Sequence, residues 1–366
     1  MSSVISTETT GEPKNPDHAG ADAAGYKPSA DAATNMTRDI VLPGGLDSID
    51  DTVEVATHAE QRGYDRISLP EVTGRDGVTL LATLAERTDD IGLSNDVFSP
   101  YGRSPALLGQ TGVTLQEASD GRYRMGLSTS SPDLTEKWHL EPYERPLRRL
   151  RETIDIVKQV SRGDRVDYDG EFFEGGGLKL RGVEPAEVPI DVAALGPKAV
   201  ELAGRFGDGW VPQLFTTDAL EARMDDLRRG ADLGDRDPGD IRVSVTVRSC
   251  ALDDGDRARD IAARQLAFMI GAYGPYYRKS IARQGFDAET DAVHEKWTDG
   301  DREAAVGAVT DEMVEELVAA GTPEEVREMV TRFEAVDGVD AVRVGFFGEM
   351  TPEQRRRTVD VLAPST

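Results

Sequence analysis

Four stretches of the chain carry residues whose types and spacing could do chemistry. Residues 91–105 leave an apolar run through Asn95, Asp96 and Val97 into a proline-bounded turn that also holds Tyr101 and Arg103. Residues 126–132 place Ser128, Thr129, Ser130 and Ser131 directly after another apolar run. Small hydroxyl residues there suit anion binding, through Oγ and closely spaced backbone N–H groups. Residues 192–198 pass from a third apolar run through Gly196 and Pro197 to Lys198. Proline suits a first helical turn and glycine lets a ligand approach the backbone, so the helix N-terminus with Lys198 forms a possible phosphate seat. Glu71 is the acid that follows the run 66–69. Each segment alone has a plain alternative: a proline-bounded turn, a Ser/Thr turn, a structural strand-to-helix turn and a solvated acid.

Other chemistries are set aside on spacing. Gly175, Gly176 and Gly177 neither follow a strand of a β-α-β unit nor open a helix, so they are not a dinucleotide fingerprint. There is no P-loop and no Gly-x-Ser-x-Gly elbow. His18, His58, His139 and His294 lack metal-ligand spacing, and Cys250 is the only cysteine, which rules out a thiolate cluster and an intramolecular disulfide. No metal is expected. The chemistry is expected to come from a bound organic cofactor.

The elements that must position these residues read as repeated β-α units. Strands are predicted at 39–42, 66–69, 91–97, 123–127, 190–193, 209–211, 241–251 and 341–346, with helical periodicity between them, as at 49–61, 106–118, 147–160, 197–206 and 323–336. Eight strands alternating with helices predict an α/β fold, a closed (β/α)₈ TIM barrel over 36–366, whose working face is the C-terminal end of its strands. Two segments break the rhythm: 166–181 reads as a hairpin before strand five, and 256–308 as mainly helical after strand seven. Residues 1–35, poor in large apolar side chains, read as a disordered, dispensable tail, with Met36 an alternative start.

The 366 residues carry 68 acidic and 42 basic side chains, a net charge of −26. Such a field repels nucleic acid and anionic membranes, and neither is expected as a partner. The acids are interleaved with periodic apolar positions, which we read as a salt-adapted, halophilic surface rather than disorder. No apolar run is long enough to span a membrane and no secretory signal is evident, so a cytoplasmic protein is expected.

Together and in this order, these segments resemble the luciferase-like family of flavin- and deazaflavin-dependent enzymes, and within it the methylenetetrahydromethanopterin reductase group. The resemblance runs from about Met36 to Leu362. Its further marks are Gly63-Tyr64-Asp65, residues 79–85, 206–209, 307–313 and 321–324. It implies a non-prolyl cis peptide at Asp96–Val97, with Val97 backing the central ring of coenzyme F420. It implies that Thr129, Ser130, Ala194, Gly196 and Pro197 hold that coenzyme and its phosphate, and that Glu71 contacts the ring's polar edge as a catalytic acid. Asp96 stands where Gly, Ser or Cys is usual. Its carboxylate is expected to point away from the ring or to accept a backbone N–H, and Asp96→Gly to preserve fold and binding. Arg103, Trp138 and His139 fall on loops that would meet the substrate. The chain departs from its relatives at Val72, where they often have His, and at Ile40 and Val41, where the reductase has Glu.

The function these readings predict is hydride transfer between the deazaflavin C5 and an electrophilic carbon of a small substrate, such as a methylene-tetrahydropterin or folate of one-carbon metabolism. The alternatives are an FMN-dependent monooxygenase on the same barrel and a non-catalytic cofactor-binding protein. Besides the small-molecule substrate, the expected partner is the chain itself, as a dimer or tetramer.

Overall fold

The computed structural model describes residues 36–43, 46 and 48–364; the expected tail, 1–35, lies outside the described residues. Its strands are β1 (Thr37–Val41), β2 (Arg66–Leu69), β3 (Gly92–Asn95), β4 (Tyr123–Leu127), β5 (Asp167–Asp169), β6 (Glu174–Gly176), β7 (Ile190–Ala193), β8 (Gly209–Val211), β9 (Arg242–Ala251), β10 (Ala319–Gly321) and β11 (Ala341–Gly345). Eight of them pair in parallel in the order β1-β2-β3-β4-β7-β8-β9-β11, and β11 returns to β1, which closes the barrel. The antiparallel β5–β6 hairpin stands apart from it. Insertion 256–308 folds mainly as helices, including Gly255–Gly271, Pro275–Ile281 and Asp287–Thr298.

Local chemistry explains the helix starts. Ser48 and Asp51 form a capping box for Ile49–Gln61, and Thr322 and Glu325 form another for Pro323–Glu334. The helix Pro197–Phe206 begins at Gly196 with no side-chain cap. Its first N–H groups are therefore not taken up by a capping side chain.

Two features depart from expectation. β10 was not anticipated: its three small residues lack any strand signal and pair with the last residues of β9. The barrel interior also carries charge. Asp39 is fully buried and 3.0 Å from Arg242, while Arg124 holds Asp191 through an Nε–Oδ2 contact of 2.9 Å. Burial alone would raise the Asp191 carboxyl, but the Arg124 charge and hydrogen bonds pull it below its ordinary value. Among the described residues, no helix is long and apolar enough to cross a membrane.

Candidate functional site

The exit of β3 is the most tightly built part of the barrel mouth. The Asp96–Val97 peptide is cis. Asp96 N–H donates to Leu69 O at 2.7 Å and Phe98 N–H to Gly126 O at 2.9 Å, so the exit is tied to both neighbouring strands. Asn95 braces it: Nδ2 donates to Gly126 O at 2.6 Å, and Oδ1 accepts from Tyr123 Oη at 2.7 Å and Gly126 N at 3.0 Å. Position 126 requires glycine, because a Cβ there would stand 2.1 Å from Asn95 O. Val97 is left half-buried with Cγ1 against Gly126.

The Asp96 carboxylate takes a side-chain partner, and not the backbone N–H that was one of the two expectations for it. Oδ1 lies 3.1 Å from Nη2 of Arg343, a side chain only 4% exposed in β11, whose Nη1 donates to Thr246 Oγ1 at 3.1 Å. This pair revises the expectation for Asp96→Gly. Removing one partner strands a buried guanidinium, so Asp96→Gly should cost about 3–5 kcal/mol of stability. Asp96→Gly/Arg343→Met should recover at least half of the loss in denaturant unfolding at molar salt. Equal midpoints for wild type and Asp96→Gly would show that the pair contributes nothing.

At the β2 exit, Glu71 and Arg103 meet as a two-point ion pair, with Arg103 Nη2 2.8 Å from Glu71 Oε2. Arg103 also reaches Asp76 at 2.6 Å and lies over the Phe98 ring at 4.6 Å. Gly77 N–H donates to Glu71 Oε2 at 2.7 Å. The structure thus brings two of the named residues together, and the Glu71 carboxylate is engaged on both oxygens. His139 packs on Gly102, its Cε1 2.9 Å from where a Cβ would be. Burial pulls the His139 imidazole below its ordinary value, with the Glu71 charge opposing and the Arg103 charge adding. Trp138 is 57% exposed at the end of the helix Pro132–Lys137.

The β4 and β7 exits hold the remaining named residues. Ser130 adopts φ 62° and its N–H donates to Ser128 Oγ at 3.1 Å. Tyr143 Oη donates to Ser130 O at 3.3 Å. Ala194 is buried, and its carbonyl accepts from Trp210 Nε1 at 3.0 Å. Nothing lies within 4 Å of the position a Cβ would take on Gly196. Lys198 turns to Glu201 of its own helix, 3.0 Å away, and its side chain is 76% exposed. A phosphate here would meet backbone N–H groups first. Ser130 Oγ and Tyr101 Oη are buried without a hydrogen-bond partner. Buried polar groups are normally satisfied, so these two fit a site whose polar ligand completes them.

Residues missed from sequence are Arg343, Thr246, Gln213, Tyr143, Tyr276 and Tyr277. Arg343 had a signal, a lone cation inside the apolar run 341–346. The tyrosines had none: Tyr143 lies in the segment after the helix Pro132–Lys137, and the place of Tyr276 and Tyr277 depends on how the inserted helices fold back. Among the described residues, no group of three or more His, Cys, Asp or Glu could hold a metal.

The family model for luciferase-like monooxygenases matches residues 26–341, and the chain belongs to that family. A 5,10-methylenetetrahydromethanopterin reductase from Archaeoglobus fulgidus is 32% identical over 293 residues, covering 78% of this chain and 86% of that protein. The fold is shared with the coenzyme F420-dependent tetrahydromethanopterin reductase of Methanopyrus kandleri, at TM-score 0.77, 20% identity and coverage of 90% and 97% of the two chains. It is also shared with the oxygenating component of 3,6-diketocamphane monooxygenase from Pseudomonas putida in complex with FMN, at TM-score 0.65, 17% identity and coverage of 90% and 97%.

Proposed function

We propose that this protein is a coenzyme F420-dependent oxidoreductase that reduces an electrophilic C=N⁺ carbon of a methylene-tetrahydropterin-type substrate. One observation carries the reading: a single barrel mouth unites the uncapped helix start at Gly196, the unpartnered Ser130 hydroxyl and the braced Val97 exit. The relative from Archaeoglobus fulgidus supports the choice of substrate class, and the F420-dependent glucose-6-phosphate dehydrogenase of Mycobacterium leprae, 29% identical over 254 residues, supports the choice of coenzyme.

In this reading Thr129, Ser130, Ala194, Gly196 and Pro197 hold the coenzyme and its phosphate, and Asp96–Val97 backs its ring. The bound coenzyme supplies or accepts the hydride. The protein's share is orientation, water exclusion and fixed dipoles. Glu71 is held by Arg103 and the Gly77 amide, so we assign it to shaping the pocket edge through Arg103 rather than to free acid chemistry. Addition of hydride to C=N⁺ needs no proton, which accommodates Val72, Ile40 and Val41 where relatives carry His or Glu.

The test is anaerobic oxidation of reduced coenzyme F420 by methylenetetrahydromethanopterin or methylenetetrahydrofolate in molar KCl. Substrate-dependent turnover without oxygen is expected. Turnover that requires FMN and oxygen would establish the monooxygenase alternative. Tight coenzyme binding with no electrophile reduced would establish the non-catalytic one.

A further inference from the structure

A continuous polar path leads from the β3 exit across the barrel mouth to the inserted helix Pro275–Ile281. Asp96 pairs with Arg343 at 3.1 Å, and Arg343 donates to Thr246 Oγ1 at 3.1 Å. Thr246 N–H donates to Pro212 O at 2.8 Å, and the next residue, Gln213, donates from Nε2 to Tyr277 Oη at 2.7 Å. The segment after that helix is fastened to the same strand exit. Gln284 Nε2 donates to Leu214 O at 3.0 Å, and Thr216 N–H donates to Gln284 Oε1 at 2.8 Å. Gln213 therefore fixes the Tyr277 hydroxyl, and Gln284 fastens the segment that follows its helix.

We propose that Tyr277 donates a hydrogen bond to the substrate nitrogen bonded to the hydride-accepting carbon. Its oxygen already accepts from Gln213, so its own O–H must be aimed elsewhere. A hydroxyl that accepts one hydrogen bond is a better donor of the next. Of the carboxylates at the mouth, Glu71 is committed to Arg103 and Asp96 to Arg343. Burial raises the Tyr277 phenol, with Tyr273 and Asp96 adding and Arg248 opposing, so it stays a neutral donor.

The step balances without a proton transfer. A hydride from the reduced deazaflavin bonds to carbon, and the C=N⁺ π pair moves onto nitrogen and cancels its charge. The cationic nitrogen has no lone pair to accept a hydrogen bond before the transfer and gains one during it. The Tyr277 bond is thus formed only as the transition state is approached, which is where it accelerates the reaction.

This inference rests on the coenzyme reading above, and the experiment separates the two. Tyr277→Phe and Gln213→Leu are compared with wild type by equilibrium titration with coenzyme F420, by titration with methylenetetrahydromethanopterin, and by single-turnover reduction of that substrate. Tyr277→Phe should bind both ligands within about threefold of wild type and react about 100–1,000-fold more slowly, the scale of one lost transition-state donor. Gln213→Leu should lose about 5–10-fold in rate with the same binding. A wild-type protein that binds coenzyme F420 but reduces nothing overturns the functional reading and this role with it. A wild-type protein that turns over beside an equally fast Tyr277→Phe overturns this role alone. So does a Tyr277→Phe variant whose rate and ligand affinities fall together, because that is the mark of a packing role.

Discussion

Val97→Trp should lose coenzyme affinity by at least about 100-fold, equivalent to about 2.7 kcal/mol, while melting within about 3 °C of wild type. Val97 stands on a backbone fixed at both ends, by Asp96 N–H to Leu69 O and Phe98 N–H to Gly126 O. An indole there cannot be relieved by moving the strand exit, and the Val97 side chain already lies against Gly126. It must occupy the open side, which is where the ring is assigned. Because Val97 is only half-buried, the substitution adds bulk toward the mouth and not into the core. Binding falls while packing survives. Titration of the folded variant with coenzyme F420 decides it, and an unchanged dissociation constant would remove Val97 from the site.

Salt should raise stability. Even with every Lys and Arg paired, 26 carboxylates remain without a cation. Many acids are openly hydrated, Asp337 fully and Asp256 at 94% exposure. Salt also weakens the surface ion pairs, but such pairs contribute only about 0–1 kcal/mol each. The unpaired excess repels itself over a Debye length that shrinks from about 10 Å at 0.1 M to about 3 Å at 1 M. Screening of the excess therefore wins. Thermal melts from 0.1 M to 3 M KCl should show the midpoint rising by about 10 °C or more. A flat or falling curve would mean that the acidic surface is not a salt adaptation.

How much of this was legible in the sequence differs between fold and site. The strands at 66–69, 123–127, 190–193 and 209–211 were readable to the residue, because short apolar runs bounded by turn residues have few other ways to pair. β3 stops at Asn95 and not at Val97, and only an isolated bridge from Phe98 to Leu127 continues the pairing beyond it. The cis peptide at Asp96–Val97 has no propensity signature and came only from the resemblance. Local spacing correctly marked the strand exits that carry Glu71, Thr129 and Gly196. It could not show that Glu71 and Arg103, 32 residues apart, share an ion pair. Nor could it show that Asp96 and Arg343 meet across the barrel, since strand register and closure decide both contacts. Tyr277 lay in a segment read only as an insertion, and its place at the mouth follows from the packing of Gln213 and Gln284.

Equilibrium titration of the apo-protein with coenzyme F420 and with FMN, side by side in molar KCl, decides the identity of the cofactor. Coenzyme F420 should bind at least about tenfold more tightly, about 1.4 kcal/mol, and Val97→Trp should remove that binding. Tighter binding of FMN would make the protein an FMN enzyme instead.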